Sequence, residues 1–134
     1  MSEWKAKRFW KTATVEEEAN GHTVHLDGRP IRTPSKSAII MPSAEMAARV
    51  AAEWDAQTGE IDPLSMPYTR SVNSAIDKVT VQHAEVADML AAYGDADVTC
   101  YRADSPQELI ARQNAAWNPL LDWAASALKV NLKP

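Results

Sequence analysis

The stretch NGHTVHLDGRPIRT, residues 20–33, decides how the first half of this chain folds. Two pairs, Asn20-Gly21 and Asp27-Gly28, bracket a short run in which Val24 and Leu26 alternate with Thr23 and His25. A type I′ turn needs positive φ at both central positions, which Asn, Asp and Gly tolerate, so each pair predicts a two-residue hairpin. The alternation predicts a strand with one dry face. Working outward, FWKTATV (9–15), HTVHL (22–26), RPIRT (29–33) and SAIIM (37–41) read as a four-stranded antiparallel meander.

A helix is expected next over 43–58. Ser43 is a good N-cap and Glu45 suits the positive end of the helix dipole. Met46, Val50 and Trp54 recur every fourth residue beside Ala47 and Ala51, a stripe that should pack across the sheet. Tyr68, Val72, Ile76 and Val79 predict a second helix after Pro67, and Val86, Met89, Leu90 and Tyr93 a third. Gly59 and Gly94 are placed to end helices. VTCYR (98–102) reads as extended, and SPQE (105–108) as a capping box with Pro106 at the first helical position. The expected fold class is therefore α+β: an N-terminal antiparallel β-meander with a packed helix in two layers, then a helical bundle domain that reads as incomplete. The expected boundaries are 1–65 for the α+β domain, with four short strands plus helix 43–58, and 66–134 for the truncated helical domain.

WNPLLDW, residues 117–123, sets a proline between two tryptophans in helical sequence. Asn118 is a strong N-cap type and Pro119 fits a first turn, so a new helix is expected there; the alternative is one long helix interrupted at Pro119. At about 100° per residue Trp117 and Trp123 do not share a face, so they do not form a clamp around a flat cofactor.

The chain has 134 residues, enough for one ordinary domain or two small ones sharing a core. Its 46% hydrophobic and 24% charged residues are those of a globular protein. Cys100 is the single cysteine, which excludes an internal disulfide and a cysteine-based zinc site and suits a reducing compartment. A net charge of −4 argues against a nucleic-acid binder, and no segment approaches the length of a membrane span. The start, MSEWKAKRFWKTA, lacks the apolar run of a secretory signal and leads almost directly into strand-like sequence. The expected location is the bacterial cytoplasm.

Catalytic templates fail on spacing. His22 and His25 lie three apart on a strand and point to opposite faces, and His83 is remote from both. Gly-rich phosphate loops and the nucleophile elbow are missing. Asp95 and Asp97 in GDAD lack the further oxygen ligands of a calcium loop. Arg29 and Arg32 could cradle an anion with nearby N–H groups, although Pro30 and Pro34 remove donors. Arg70, Asn73 and Asp77 can meet on one helix face as a structural network, or offer Asp77 as a base. No cofactor, no metal and no catalytic residue is expected.

Six motifs in order resemble one family: RFWKTATV, LDGRPIRTP, AAEWDAQ with EIDP, MPYTRSVNSAID, CYRADSPQEL and WNPLLDWA are similar to the ATP-twelve assembly chaperones. The likeness runs from about Phe9 to Trp123. It implies a non-catalytic chaperone for assembly of the F-type ATP synthase. Such a protein binds the free α subunit of the catalytic head until β subunits replace it. The likeness also implies that this chain resembles the N-terminal portion of a bacterial member, since eukaryotic members carry a mitochondrial presequence. Separately, no nucleic-acid partner and no membrane insertion are expected, and the chain is expected to be a monomer.

Tryptophan is enriched among binding hot spots, so Trp117, Trp123 and Trp10 are the expected partner contacts. Trp4 and Trp10 are expected near a loose N-terminal tail. Trp54, Met46 and Val50 are expected in the core, with Arg70, Asn73 and Asp77 as structural residues. The rival readings are a small anion-binding or hydrolytic domain using Arg29/Arg32 and Arg70/Asn73/Asp77, or a subunit of some other assembly.

Overall fold

A computed structural model describes residues 6–134, so Trp4 lies outside the described residues. The chain divides into two compact units, the first ending at His83 and the second running from Ala84 to Pro134. Among the described residues the fold is α+β, a three-stranded antiparallel sheet with four α-helices.

Strand β1 (Ala13–Glu18) pairs with β2 (Gly21–Leu26), and β2 with β3 (Arg29–Pro30), in the order β1-β2-β3. The register runs from Ala13 opposite Leu26 to Glu18 opposite Gly21. Asp27 and Gly28 carry φ of 48° and 82°, the two positive values that a type I′ turn requires. The other hairpin turns instead through Ala19 and Asn20, and Gly21 opens β2 with φ of 145°. Glycine is needed at 21 because a Cβ there would run into the Met41 carbonyl oxygen.

The fourth expected strand does not form. Residues 37–41 pair only through isolated backbone bridges, Arg32 to Ala38 and His22 to Met41, the latter with N–H to O distances of 2.7 and 2.8 Å. Pro30, Pro34 and Pro42 each lack the N–H that a ladder uses, which keeps β3 to two residues and leaves 37–41 irregular. The first strand also starts later than 9–15. Phe9 and Trp10 precede it, in a segment where the N–H groups of Arg8 and Ile61 donate to the carbonyls of Gly59 and Ala6. This segment is tied to the fold, not loose.

Helix α1 (Ala44–Asp55) lies on β1 and β2. Ser43 caps it, its hydroxyl accepting from the Met46 N–H at 3.2 Å. Val24, Ile39, Met41, Ala47 and Val50 are all but sealed from water, and Trp10, Leu26 and Ile31 complete the core. Burying each of the larger side chains contributes about 1.5–3 kcal/mol. Met46 and Trp54 pack at its margin, half-buried. Thr23 is fully buried as well, so the middle of β2 is dry on both faces rather than one. Helix α2 (Pro67–Ser74) packs on α1 through Val72 and continues as a π-turn over Ala75–Val79.

Helix α3 (His83–Ala91) leads into the second unit and runs on as a 3-10 stretch over Ala92–Ala96. Gly94 sits inside that stretch with no positive φ, so it does not end a helix as expected. VTCYR is extended only at Tyr101: Val98–Cys100 form a 3-10 turn in which the Asp97 carboxylate accepts from the Thr99 N–H and hydroxyl at 2.9 and 2.6 Å. Helix α4 (Gln107–Trp123) has Pro106 at its N-cap, a residue without a side-chain acceptor, so the expected capping box is not made. Residues 117–123 form no joint between two helices. Pro119 lies inside one continuous helix, and Asn118 gives its side chain to Arg102 rather than to a helix start.

Candidate interaction surfaces

The polar residues of the sequence motifs are spent on holding the first unit together. Glu53 is buried. Its Oε1 accepts from the Tyr68 N–H, and Oε2 from the Thr69 N–H and hydroxyl, each at 2.7 Å. One carboxylate thus satisfies the orphan donors at the start of α2, where the helix dipole also favours negative charge. Gln57 repeats the device one turn on. Its amide nitrogen donates to the Glu53 carbonyl and the Ser65 hydroxyl, and its oxygen accepts from the Asp62 N–H. Spacing could have found both, because Val50, Glu53, Trp54 and Gln57 fall on one helical face. Polar residues there signal a buried network.

Arg8 donates to the carbonyls of Trp10, Lys11, Asp55 and Gln57, and its guanidinium lies 5.6 Å from the Trp10 ring centre. Asp27 accepts from the N–H groups of Thr12 and Lys11, which hold its carboxyl below the usual carboxylate range. Asp77 is held low chiefly by the Thr33 hydroxyl and also by the Ser35 N–H at 3.2 Å, which pins the end of α2 to the 33–35 turn. Among the described residues no hydrogen bond or ion pair joins Arg70 to Asn73 or Asp77. Arg70 faces solvent, and the buried Asn73 Oδ1 has no partner. The three residues expected to meet are not brought together.

His22 and His25 lie on β2 and His83 opens α3. Among the described residues no group of three or more His, Cys, Asp and Glu is placed to hold a metal ion.

Trp10 is 3% exposed and cannot serve as a contact. Its ring packs 5.2 Å from that of Trp54, and its Nε1 donates to the Trp54 carbonyl at 3.3 Å. Of the two indoles, the one expected beside a loose tail is the deeper. In the second unit Trp117 is half-buried under the Arg102 guanidinium, 5.5 Å from its centre. Arg102 also donates to the Thr99 carbonyl and to the side chains of Asn114 and Asn118, tying the 3-10 turn to α4. Trp123 is 58% exposed. Met89, Leu90, Tyr93, Leu120 and Leu128 are also exposed, whereas Ala124 is the one buried apolar residue described in this unit.

The arrangement offers apolar contact surface and no assembled catalytic constellation among the described residues. A profile described as ATP12 chaperone protein matches residues 7–125. The chain belongs to the ATP12 chaperone family. Its similarity to the mitochondrial protein atp12 of Schizosaccharomyces pombe is 27% identity over 94% of this chain and 46% of that protein. The crystal structure of Atp12 from Paracoccus denitrificans superposes with a TM-score of 0.82 at 47% identity, covering 98% of this chain and 56% of that one. A crystal structure from Agrobacterium tumefaciens gives a TM-score of 0.74 at 41% identity, covering 92% of this chain and 46% of that one. The chain thus spans about half the length of the relatives it matches. No helix among the described residues is long and apolar enough to cross a membrane.

In this ATP12-family chain Arg29 and Arg32 line one groove of the first unit, while Arg70, Asn73 and Asp77 do not line it. The hydrolytic alternative needed all five together.

Proposed function

We propose that this chain acts as part of a non-enzymatic chaperone for assembly of the F-type ATP synthase. It binds the free α subunit of the catalytic head and shields it from aggregation until β subunits replace it. Membership of the ATP12 family supports the chaperone class. The single observation that carries the contact reading is the exposed apolar set of the second unit, with Trp123 at its centre of interest. A subunit destined for a large obligate interface exposes apolar surface while free, and such surface aggregates. A chaperone matched to it needs apolar side chains in water and a contact weaker than the α–β contact that displaces it. No nucleotide hydrolysis is required for that exchange. In this reading Trp123 meets the partner, Trp117 makes a second contact from under Arg102 on another face of α4, and the protein works as a monomer in the bacterial cytoplasm. The division of labour belongs to the same proposal: the first unit is the scaffold, with α2 part of it because Val72 packs in its core, and the helices after His83 carry the client.

The test is light scattering by purified α subunit, with this chain or a full-length family member added, followed by β. Suppressed scattering and release by β are expected. If α aggregates unchanged in the presence of both, the reading fails.

A further inference from the structure

Phe9 is the single phenylalanine of the chain and is 70% exposed, yet its ring is fixed edge-on against buried Trp10, 5.1 Å between centres at 86°. It borders a groove of about 640 Å³ in the first unit, floored by half-buried Trp54 and Ile61 above the core residues Leu26 and Ile31. Four cations, Lys7, Arg29, Arg32 and Lys36, line the same groove. In a chain of net charge −4 this is a local reversal of sign. Among the described residues none of the four is in an ion pair, and the Arg32 guanidinium donates only to the Lys36 carbonyl, at 3.0 Å. Neighbouring carboxylates are engaged elsewhere: Asp55 with Arg8, and Asp27 with the Lys11 and Thr12 N–H groups.

We propose that this groove docks an extended protein segment in which a large apolar side chain is flanked by carboxylates. The volume falls within the range of pockets that take a few side chains. A pre-fixed aromatic beside an apolar floor is the anchor that binding hot spots use. Unpaired cations around such a floor select negative charge and speed encounter with it. A lipid surface is too flat to reach a concave floor, and a nucleic-acid backbone leaves that floor uncovered. The partner's being a protein rests on the chaperone reading; the groove and its charge do not.

The probe is a dye-labelled peptide, Asp-Glu-Leu-Phe-Glu-Asp, followed by fluorescence anisotropy with the whole chain. Saturable binding is expected, weakened about tenfold between about 50 and about 500 mM NaCl as screening sets in. Phe9→Ser and Arg29→Glu, both at exposed positions, should each weaken it by about fivefold or more with the melting temperature unchanged. A peptide with Lys for the acids, or Ser for Leu and Phe, should lose binding. No binding, binding indifferent to both variants, or displacement of the peptide by phosphatidylserine vesicles or a single-stranded oligonucleotide overturns the proposal. Capture of α is measured alongside. A chain that captures α but ignores the peptide sinks the groove alone; one that binds the peptide but not α keeps the groove and sinks the chaperone reading.

Discussion

The two units use the same residue types for opposite ends. In the first, tryptophan, valine, isoleucine and methionine are sealed between a sheet and α1. In the second, tryptophan, leucine, methionine and tyrosine face water along short helices, and only Ala124 is described as buried. Sheet and helix offer two complementary apolar faces that can close on each other. The helices of residues 84–134, taken by themselves, leave much of theirs open. Apolar content alone therefore says little about role, and burial says which unit is held by its own core.

The sharpest way to break this comparison is to remove one indole from each unit. Trp10→Ala should cost about 3–5 kcal/mol by leaving a cavity between β2 and Trp54, read as a lowered urea midpoint. A Trp10→Ala chain that unfolds at the parent midpoint would show that the first unit is not held as described. Trp54 is only half-buried, so Trp54→Ala should cost less than Trp10→Ala, reversing the ranking that helical periodicity suggests.

Glu53→Ala comes next. It strands three donors of Tyr68 and Thr69, and leaving buried groups unpaired costs about 1–3 kcal/mol. Glu53→Gln keeps an acceptor and should be milder. Equal losses for the two would shift the weight from hydrogen bonding to packing.

Acid titration sharpens the contrast further. The Asp27 carboxyl is held low by the Thr12 and Lys11 N–H groups, so its folded pKa lies below its unfolded value. Its stabilisation is full above the unfolded value, about 3.9, and is lost as pH falls through the folded one. Asp27→Asn should therefore flatten the fall in melting temperature below about pH 4 while changing it little in slope near neutrality. Asp97, held low chiefly by the Thr99 hydroxyl, offers the matching Asp97→Asn experiment in the second unit. An unaltered acid limb in Asp27→Asn would contradict the assignment.

The smallest effect on stability is expected at Trp123. Trp123→Ala should change the unfolding free energy by no more than about 0.5 kcal/mol, as for surface substitutions generally, while capture of α falls. A loss as large as that of Trp10→Ala would erase the difference between the units.

Local chemistry in the chain was enough to identify the Asp27-Gly28 turn, the Ser43 cap, the α1 stripe and the α+β class. Each depends on a residue's own backbone preference or on a periodicity read within one element. Tertiary structure decided the rest. Trp10 is deep because residues 6–8 are bonded to 59–61, a pairing across some fifty positions that no local pattern announces. Gly21 is required by the Met41 carbonyl and not by its turn, and Asn118 serves Arg102 instead of a helix start. The groove cations at 7, 29, 32 and 36 share no period and meet only after the chain has folded. Sequence acts over a few residues at a time, whereas burial and charge clustering are set by which distant segments the core brings into contact.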